Sequence, residues 1–276
     1  MLYYRQDLVD QPPETWQELQ EMALQMSQEQ NIRNGFVFQG ANYEGGVVNG
    51  LEYIWTHGGN VLEEGTSDQV IIDSPESVEA MQTWRGMIES GAAPQAVSNW
   101  KEMESHTAFL GGDAVFLRNW PYVYALAADP EQSRISQDQI GIAPVPVSEG
   151  NQTFSGLGGW NFYINAASDE ATQDAAWEFI QFATSPEIQR YRALEGSFLP
   201  TLEELYEDQE ILDSVPVIAL GQEALLSSRP RPISPYYSDM SLQMAEQFNA
   251  SLRGATPPEQ AISTLQEELS NIAEQG

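Results

Sequence analysis

The chain predicts an α/β fold. Three features point to it: amphipathic stretches bounded by helix-start and helix-stop residues, short apolar stretches of strand character, and an interleaving of the two from end to end. At 276 residues with 41% hydrophobic content, there is apolar material for one large domain or two smaller ones.

Residues 2–4 form the first predicted strand. Pro12-Pro13-Glu14-Thr15 then opens a helix with Trp16, Leu19, Met22, Ala23 and Met26 on one face. Thr15 and Glu18 have capping-box spacing, in which each side chain satisfies a backbone donor of the first turn. Residues 36–38 are a second strand. Ser74-Pro75 starts a helix through Val78, Met81, Trp84 and Ile88, closed by Gly91. Residues 115–117 and 140–145 follow as strands. Pro144 and Pro146 either stiffen a crossing between two lobes or end a strand at a sheet edge.

Residues 160–164 place Trp160, Phe162 and Ile164 on one face, the pattern of a half-buried strand. Ser168 opens a helix carrying Ala175, Ala176, Phe179, Ile180 and Ala183, and Ser185-Pro186 starts the next, through Ile188 and Tyr191 to Gly196. Met240, Met244, Phe248 and Leu252 share a helical face that Gly254 ends. Thr256-Pro257-Pro258-Glu259, with capping-box spacing, opens a last helix with Ile262, Leu265, Leu269 and Ile272 on one stripe. Trp16, Trp84 and Trp177 lie on helical stripes and are assigned to the core.

Charge narrows the partners. Forty-one carboxylates face 11 cations, for a net charge of −30, and Lys101 is the only lysine. Such a field repels phosphate backbones and anionic membranes, which weighs against nucleic acid and lipid surfaces as direct partners. The acids are spread along the whole chain, which suits a solvated acidic surface better than a pocket for a cation or polyamine. No apolar run approaches the length of a bilayer span, so a water-soluble chain without membrane insertion is expected.

The absence of cysteine removes disulfides, thiol catalysis and thiolate metal sites. His57 and His106 lack metal-ligand spacing, and there is no HExxH, EF-hand, Walker or GxSxG motif. Gly156-Leu157-Gly158-Gly159 precedes a predicted strand instead of bridging strand to helix, so it lacks the context of a phosphate cradle. No cofactor or metal is expected. Carboxylate pairs that could serve a glycosidase are so abundant that none is singled out, and catalysis has no positive support.

Three patches are rich in aromatic residues and glycine. They run from Gly112-Asp113 to Asn119-Trp120-Pro121-Tyr122, from Gly156-Leu157-Gly158-Gly159-Trp160-Asn161 to Ser168, and from Arg229-Pro230-Arg231 to Tyr236-Tyr237-Ser238. Together with the opening Leu2-Tyr3-Tyr4-Arg5-Gln6-Asp7, Pro13-Glu14-Thr15-Trp16, Asn42-Tyr43-Glu44-Gly45 and Pro257-Pro258-Glu259-Gln260-Ala261, their order and spacing resemble the carbohydrate-binding branch of the ABC transporter extracellular solute-binding proteins. The trehalose/maltose-binding group is the one most resembled.

That resemblance implies a periplasmic-binding-protein-like (type II) fold, with two lobes closing on a ligand and an ABC permease as partner. It implies a monomer located in the periplasm or outside the cell, lipid- or membrane-associated in its full-length form. The captured ligand would be a di- or oligosaccharide such as trehalose, maltose or sucrose. Residues 1–141 and 197–276 would form the C-terminal lobe. Residues 142–196 would be an excursion belonging to an N-terminal lobe otherwise lacking here, and would expose apolar surface. Family members begin with a signal peptide, whereas Met1 leads directly into Leu2-Tyr3-Tyr4-Arg5, with charge where an apolar core should begin. A fragment, a miscalled start or a truncated product is therefore expected.

By the same resemblance Trp120 and Trp160 are stacking platforms, Tyr43, Tyr122 and Tyr237 lesser walls, and Asn119, Glu44 and Arg231 hydroxyl binders. Gly158 and Gly159 would let backbone donors approach the ligand. Aromatic rings suit the C–H faces of a sugar, while carboxylates, amides and guanidinium fix its hydroxyls. The competing readings are a glycoside-active enzyme, a polyamine- or cation-binding relative of the same fold, and half a cleft that binds nothing.

Overall fold

The structure, a computed structural model, describes residues 1–274. In chain order it contains β1 Leu2–Arg5, α1 Trp16–Glu29, β2 Asn34–Val37, α2 Glu44–Thr56, α3 Pro75–Glu89, α4 Glu102–Leu110, β3 Ala114–Arg118, α5 Val123–Leu126 and β4 Ile140–Ala143. Then follow β5 Ser155–Gly156, α6 Glu170–Ala183, α7 Pro186–Gly196, α8 Gln209–Ser214, α9 Pro216–Leu226, β6 Ser228–Arg229, α10 Tyr237–Leu252 and α11 Pro258–Ala273.

A four-stranded sheet in the order β2-β3-β1-β4 lies at the centre. β2 runs parallel to β3, and β1 is antiparallel to both of its neighbours, with Tyr3 opposite Leu117 and Ile142. β2 and β3 are buried along their whole length, apolar apart from Asn34 at the start of one and Arg118 at the end of the other. β4 is an edge strand, and Pro144, lacking an N–H to donate, ends it one residue after Ala143. The predicted strand over 140–145 is thus shortened to 140–143.

Helices α2, α3, α10 and α11 pack on one another, while α1 and α4 lie against the sheet. Trp16 stacks on Tyr53 at 3.9 Å between ring centroids, Tyr53 on Trp84 at 5.4 Å, and Trp84 meets Phe248 edge-on. Helix α2 approaches this column closely: a Cβ on Gly50 would sit 2.5 Å from the Phe248 ring and 3.0 Å from that of Trp84.

The predicted caps at Thr15 and Ser74 form, the first as a complete capping box, and Ser185 caps α7. Gly91 and Gly254 take the left-handed φ expected of helix stops. Asp169, one residue after the predicted Ser168, caps α6. The expected box at Thr256 and Glu259 does not form. Pro257 holds the cap position without a side-chain bond, and the Glu259 carboxylate instead accepts a hydrogen bond from Gln82 Nε2.

Two further expectations need correction. Residues 160–164 form no strand, because no strand lies alongside to share backbone hydrogen bonds. Trp177, expected in the core, is 54% exposed, since α6 buries only Ala183. Trp160 and Tyr163 are 95% and 86% exposed, and Phe162, Phe179, Phe182 and Tyr191 also face outward. Amphipathic periodicity marks an apolar face but does not supply the surface that covers it.

The substitution Gly50→Ala weighs two opposing effects. Alanine gains about 1 kcal/mol of helix propensity, whereas forcing a methyl group into a filled core costs about 1–3 kcal/mol. Overlap with rigid rings puts this site at the upper end, so chemical denaturation should show a net loss of about 1–2 kcal/mol.

Candidate functional site

The site is built around a buried ion pair. Glu52 stands on α2, and Arg118 closes β3. Arg118 donates from Nε and Nη2 to the two carboxylate oxygens of Glu52 at 2.7 and 2.6 Å, and both side chains are buried. Its Nη1 reaches Gln39 Oε1 at 3.2 Å, and Gln39 in turn donates to Ser105 Oγ at 2.7 Å and to the Arg118 carbonyl at 2.9 Å. The amide of Gly156 donates to Glu52 at 3.0 Å. Burial opposes ionisation of Glu52, but the Arg118 charge and hydrogen bonds outweigh it and hold the carboxyl below its usual range.

Arg118 also lies 4.4 Å over the indole of Trp120, fixing the ring's inner side by a cation–π contact. Trp120 is partly exposed, and its Nε1 makes a long 3.4 Å contact to Glu102 Oε1. Tyr3 OH donates to the Trp120 carbonyl at 2.8 Å, tying the segment to the sheet. Gly158 approaches the benzo end of the ring, where a Cβ would stand 3.4 Å from Trp120 Cζ3 and 3.6 Å from Cη2.

Tyr122 hydrogen-bonds His106 Nδ1 at 3.1 Å, and its phenol is pushed up to about 12 by burial, with the Glu102 charge adding to the effect. Tyr43 lies under the Lys101 ammonium, 5.0 Å from its ring, and its buried hydroxyl has no hydrogen bond of good geometry. Burial pushes the Tyr43 phenol well above its ordinary ionisation range and so keeps it neutral, and the neighbouring Glu102 carboxylate adds to the effect.

A second group adjoins the first through the peptide between Tyr43 and Glu44. Arg231 Nη1 and Tyr237 OH both donate to Glu44 Oε1, at 2.6 and 2.5 Å, and Ser241 donates to the other oxygen. Burial works against the Glu44 charge, but these three donors hold its carboxyl below the ordinary value.

Tyr43, Trp120, Tyr122 and Gly158 therefore come together, as do Glu44, Arg231 and Tyr237. Asn119 is completely buried and points inward: its Nδ2 reaches Ser105 Oγ at 3.3 Å, and its Oδ1 accepts the Trp120 N–H at 2.8 Å. It orients the tryptophan and presents no free amide to solvent. Trp160 projects into solvent, and no atom lies within 4 Å of where a Gly159 Cβ would be. Sequence reading missed Lys101, Glu102, His106 and the Glu52–Arg118 pair. One signal was available: Glu52 is a single charge within the apolar run Leu51-Glu52-Tyr53-Ile54-Trp55. Surface cavities elsewhere, one lined by Tyr124, Gln137 and Leu194 and one by Leu8, Met22 and Met26, contain none of these residues.

The family of bacterial extracellular solute-binding proteins matches residues 1–216. The chain belongs to this family. A Deinococcus radiodurans protein named as a probable ABC transporter-binding protein is 33% identical, over 100% of this chain and 67% of its own length. The maltose-bound MalE3 of T. maritima superposes with a TM-score of 0.92 at 36% identity, covering 98% of this chain and 69% of that one. A maltotriose-binding protein of Pyrococcus abyssi is 26% identical over 80% of this chain and 46% of its own length. The fold is that of the type II periplasmic sugar-binding proteins, and this solute-binding protein is a binder, not an enzyme.

Removing one partner of the buried pair strands the other charge. Arg118→Met in this solute-binding protein should cost about 3–5 kcal/mol, and Glu52→Leu with Arg118→Met should recover most of it. Glu52 is held below its unfolded value of about 4.3, so the pair's contribution is complete above that pH and drains as pH falls through the folded value. The stability gap between the unaltered chain and Arg118→Met, measured by urea denaturation, should therefore narrow from pH 5 down to about pH 3.

Proposed function

We propose that this chain is the sugar-capturing component of an ABC importer, taking a di- or oligosaccharide of the maltose, trehalose or sucrose kind. Trp120 carries the proposal. Its indole is pinned on one side by Arg118, lies partly open to solvent, and shares the Glu102 carboxylate as a neighbour with the Tyr43 and Tyr122 phenols. A ring held this way packs on the C–H face of a pyranose with little further loss of side-chain freedom. The Glu44–Arg231–Tyr237 group next to it offers carboxylate, guanidinium and hydroxyl to sugar hydroxyls. The maltose-bound and maltotriose-binding relatives support the same ligand class.

The sequence reading gives residues 1–141 and 197–276 to one lobe and 142–196 to a second; we place the start of the second-lobe part after residue 156, because Ile142 and Ala143 pair with β1, Val147 bonds to Glu14 and Trp16, and the Gly156 amide donates to Glu52. The outward-facing Trp160, Phe162, Tyr163, Trp177 and Phe179 support that division, as does the share of about two thirds that the chain spans of its relatives. Trp160 would reach the ligand when the lobes close by hinge motion, and the closed form would engage the permease.

Isothermal titration with maltose, trehalose and sucrose tests the ligand. At least one should bind and raise the melting temperature while remaining intact. Trp120→Ala should weaken that binding at least tenfold, a loss of about 1.4 kcal/mol or more. Intact sugar separates this function from glycoside cleavage, and insensitivity to salt separates it from polyamine capture. A chain extended by the portion its relatives possess should bind less hydrophobic dye and melt higher than residues 1–276. Equal behaviour of the two would refute the assignment of residues 157–196 to a second lobe.

A further inference from the structure

We infer that Lys101 and Glu102 form a specificity-determining donor–acceptor pair at the edge of Trp120, reading two adjoining hydroxyls of a neutral sugar; the inference rests on the carbohydrate function proposed above. Lys101 is the only lysine in a chain with 41 carboxylates. Among the described residues its ammonium forms no ion pair with any of them and stands instead over the Tyr43 ring, 5.0 Å from its centroid. Glu102, the next residue, is partly buried. Its carboxylate makes a single long contact, 3.4 Å from Trp120 Nε1, although an ionised carboxylate can accept about four hydrogen bonds. The buried Tyr43 hydroxyl lies near the same carboxylate but makes no hydrogen bond of good geometry. The Glu102 carboxylate thus links the Trp120 indole to the Tyr43 phenol, over which the Lys101 ammonium stands, and both charges keep unused bonding capacity.

A plain alternative is that Glu102 serves the helix, since an acid in the first turn favours the N-terminal dipole. Glu104 already fills that role: it accepts the Lys101 N–H at 2.9 Å and is exposed to solvent. Glu102 is turned the other way, toward Trp120 and the two phenols.

The chemistry of the pair selects the ligand. An ammonium only donates and a carboxylate only accepts, whereas each sugar hydroxyl does both. Side by side they match two neighbouring hydroxyls in one relative orientation. Sugar phosphates and uronates are disfavoured, because each would bring a negative charge to Glu102 within a chain of net charge −30.

Titration calorimetry with maltose and with trehalose as probes, on the full chain, tests the pair. Lys101→Met and Glu102→Gln should each weaken binding about 10- to 100-fold, the range for one lost charge-assisted bond. Melting temperatures should stay within roughly 2 °C of the unaltered chain. Lys101→Arg, which keeps a cationic donor, should retain affinity within about threefold. If both variants bind like the unaltered chain while Trp120→Ala loses the sugar, the pair is overturned and the Trp120 platform stands. A loss of binding that tracks a drop of several degrees in melting temperature also overturns it. If the unaltered chain binds neither sugar, the carbohydrate function and the pair fall together.

Discussion

The arrangement of the site depends on one buried interaction, the two-point ion pair between Glu52 and Arg118. Few charges in this chain are so thoroughly removed from water, and desolvating them is costly unless geometry and extra hydrogen bonds compensate. Here they do: both carboxylate oxygens are bonded by Arg118, the third guanidinium nitrogen meets Gln39, and Gly156 donates to the same carboxylate. A hydrophobic pair of similar volume would hold the core together equally well. It could not join α2, the end of β3 and the segment around residue 156 in one register. That register sets Trp120 over Arg118 and brings Gly158 to the benzo end of its ring.

The charge balance gives this geometry further meaning. In a chain with 41 acids and 11 bases, an arginine with an acidic partner is unremarkable, yet three of the 11 cations stand at the site. Arg118 supports the tryptophan from inside, Arg231 holds Glu44, and Lys101 covers Tyr43. The remaining acids, dispersed over the surface, keep the molecule hydrated and repel anionic partners.

Packing is uneven along the chain for a physical reason. The sheet and helices α2, α3, α10 and α11 bury continuous aromatic and aliphatic faces against one another, each satisfying the other. The stretch from residue 157 through α7 has equally apolar faces, but they meet little of the chain, so Trp160, Tyr163, Trp177 and Phe179 lie in contact with solvent.

Local chemistry alone determined much about this protein. The caps at Thr15, Ser74 and Ser185, the stops at Gly91 and Gly254, and the central strands follow from hydrogen-bonding and steric rules that act within a few residues. The family was also legible, because its motifs recur in order along the chain. Tertiary structure decided what depends on distant partners. Residues 160–164 had the alternation of a strand but no neighbour to bond, and Trp177 had a helical stripe but nothing to cover it. Glu52 and Arg118, 66 residues apart, and Glu102 beside Trp120 became meaningful only when the fold brought them together, since burial and pairing belong to the assembled neighbourhood and not to the residue.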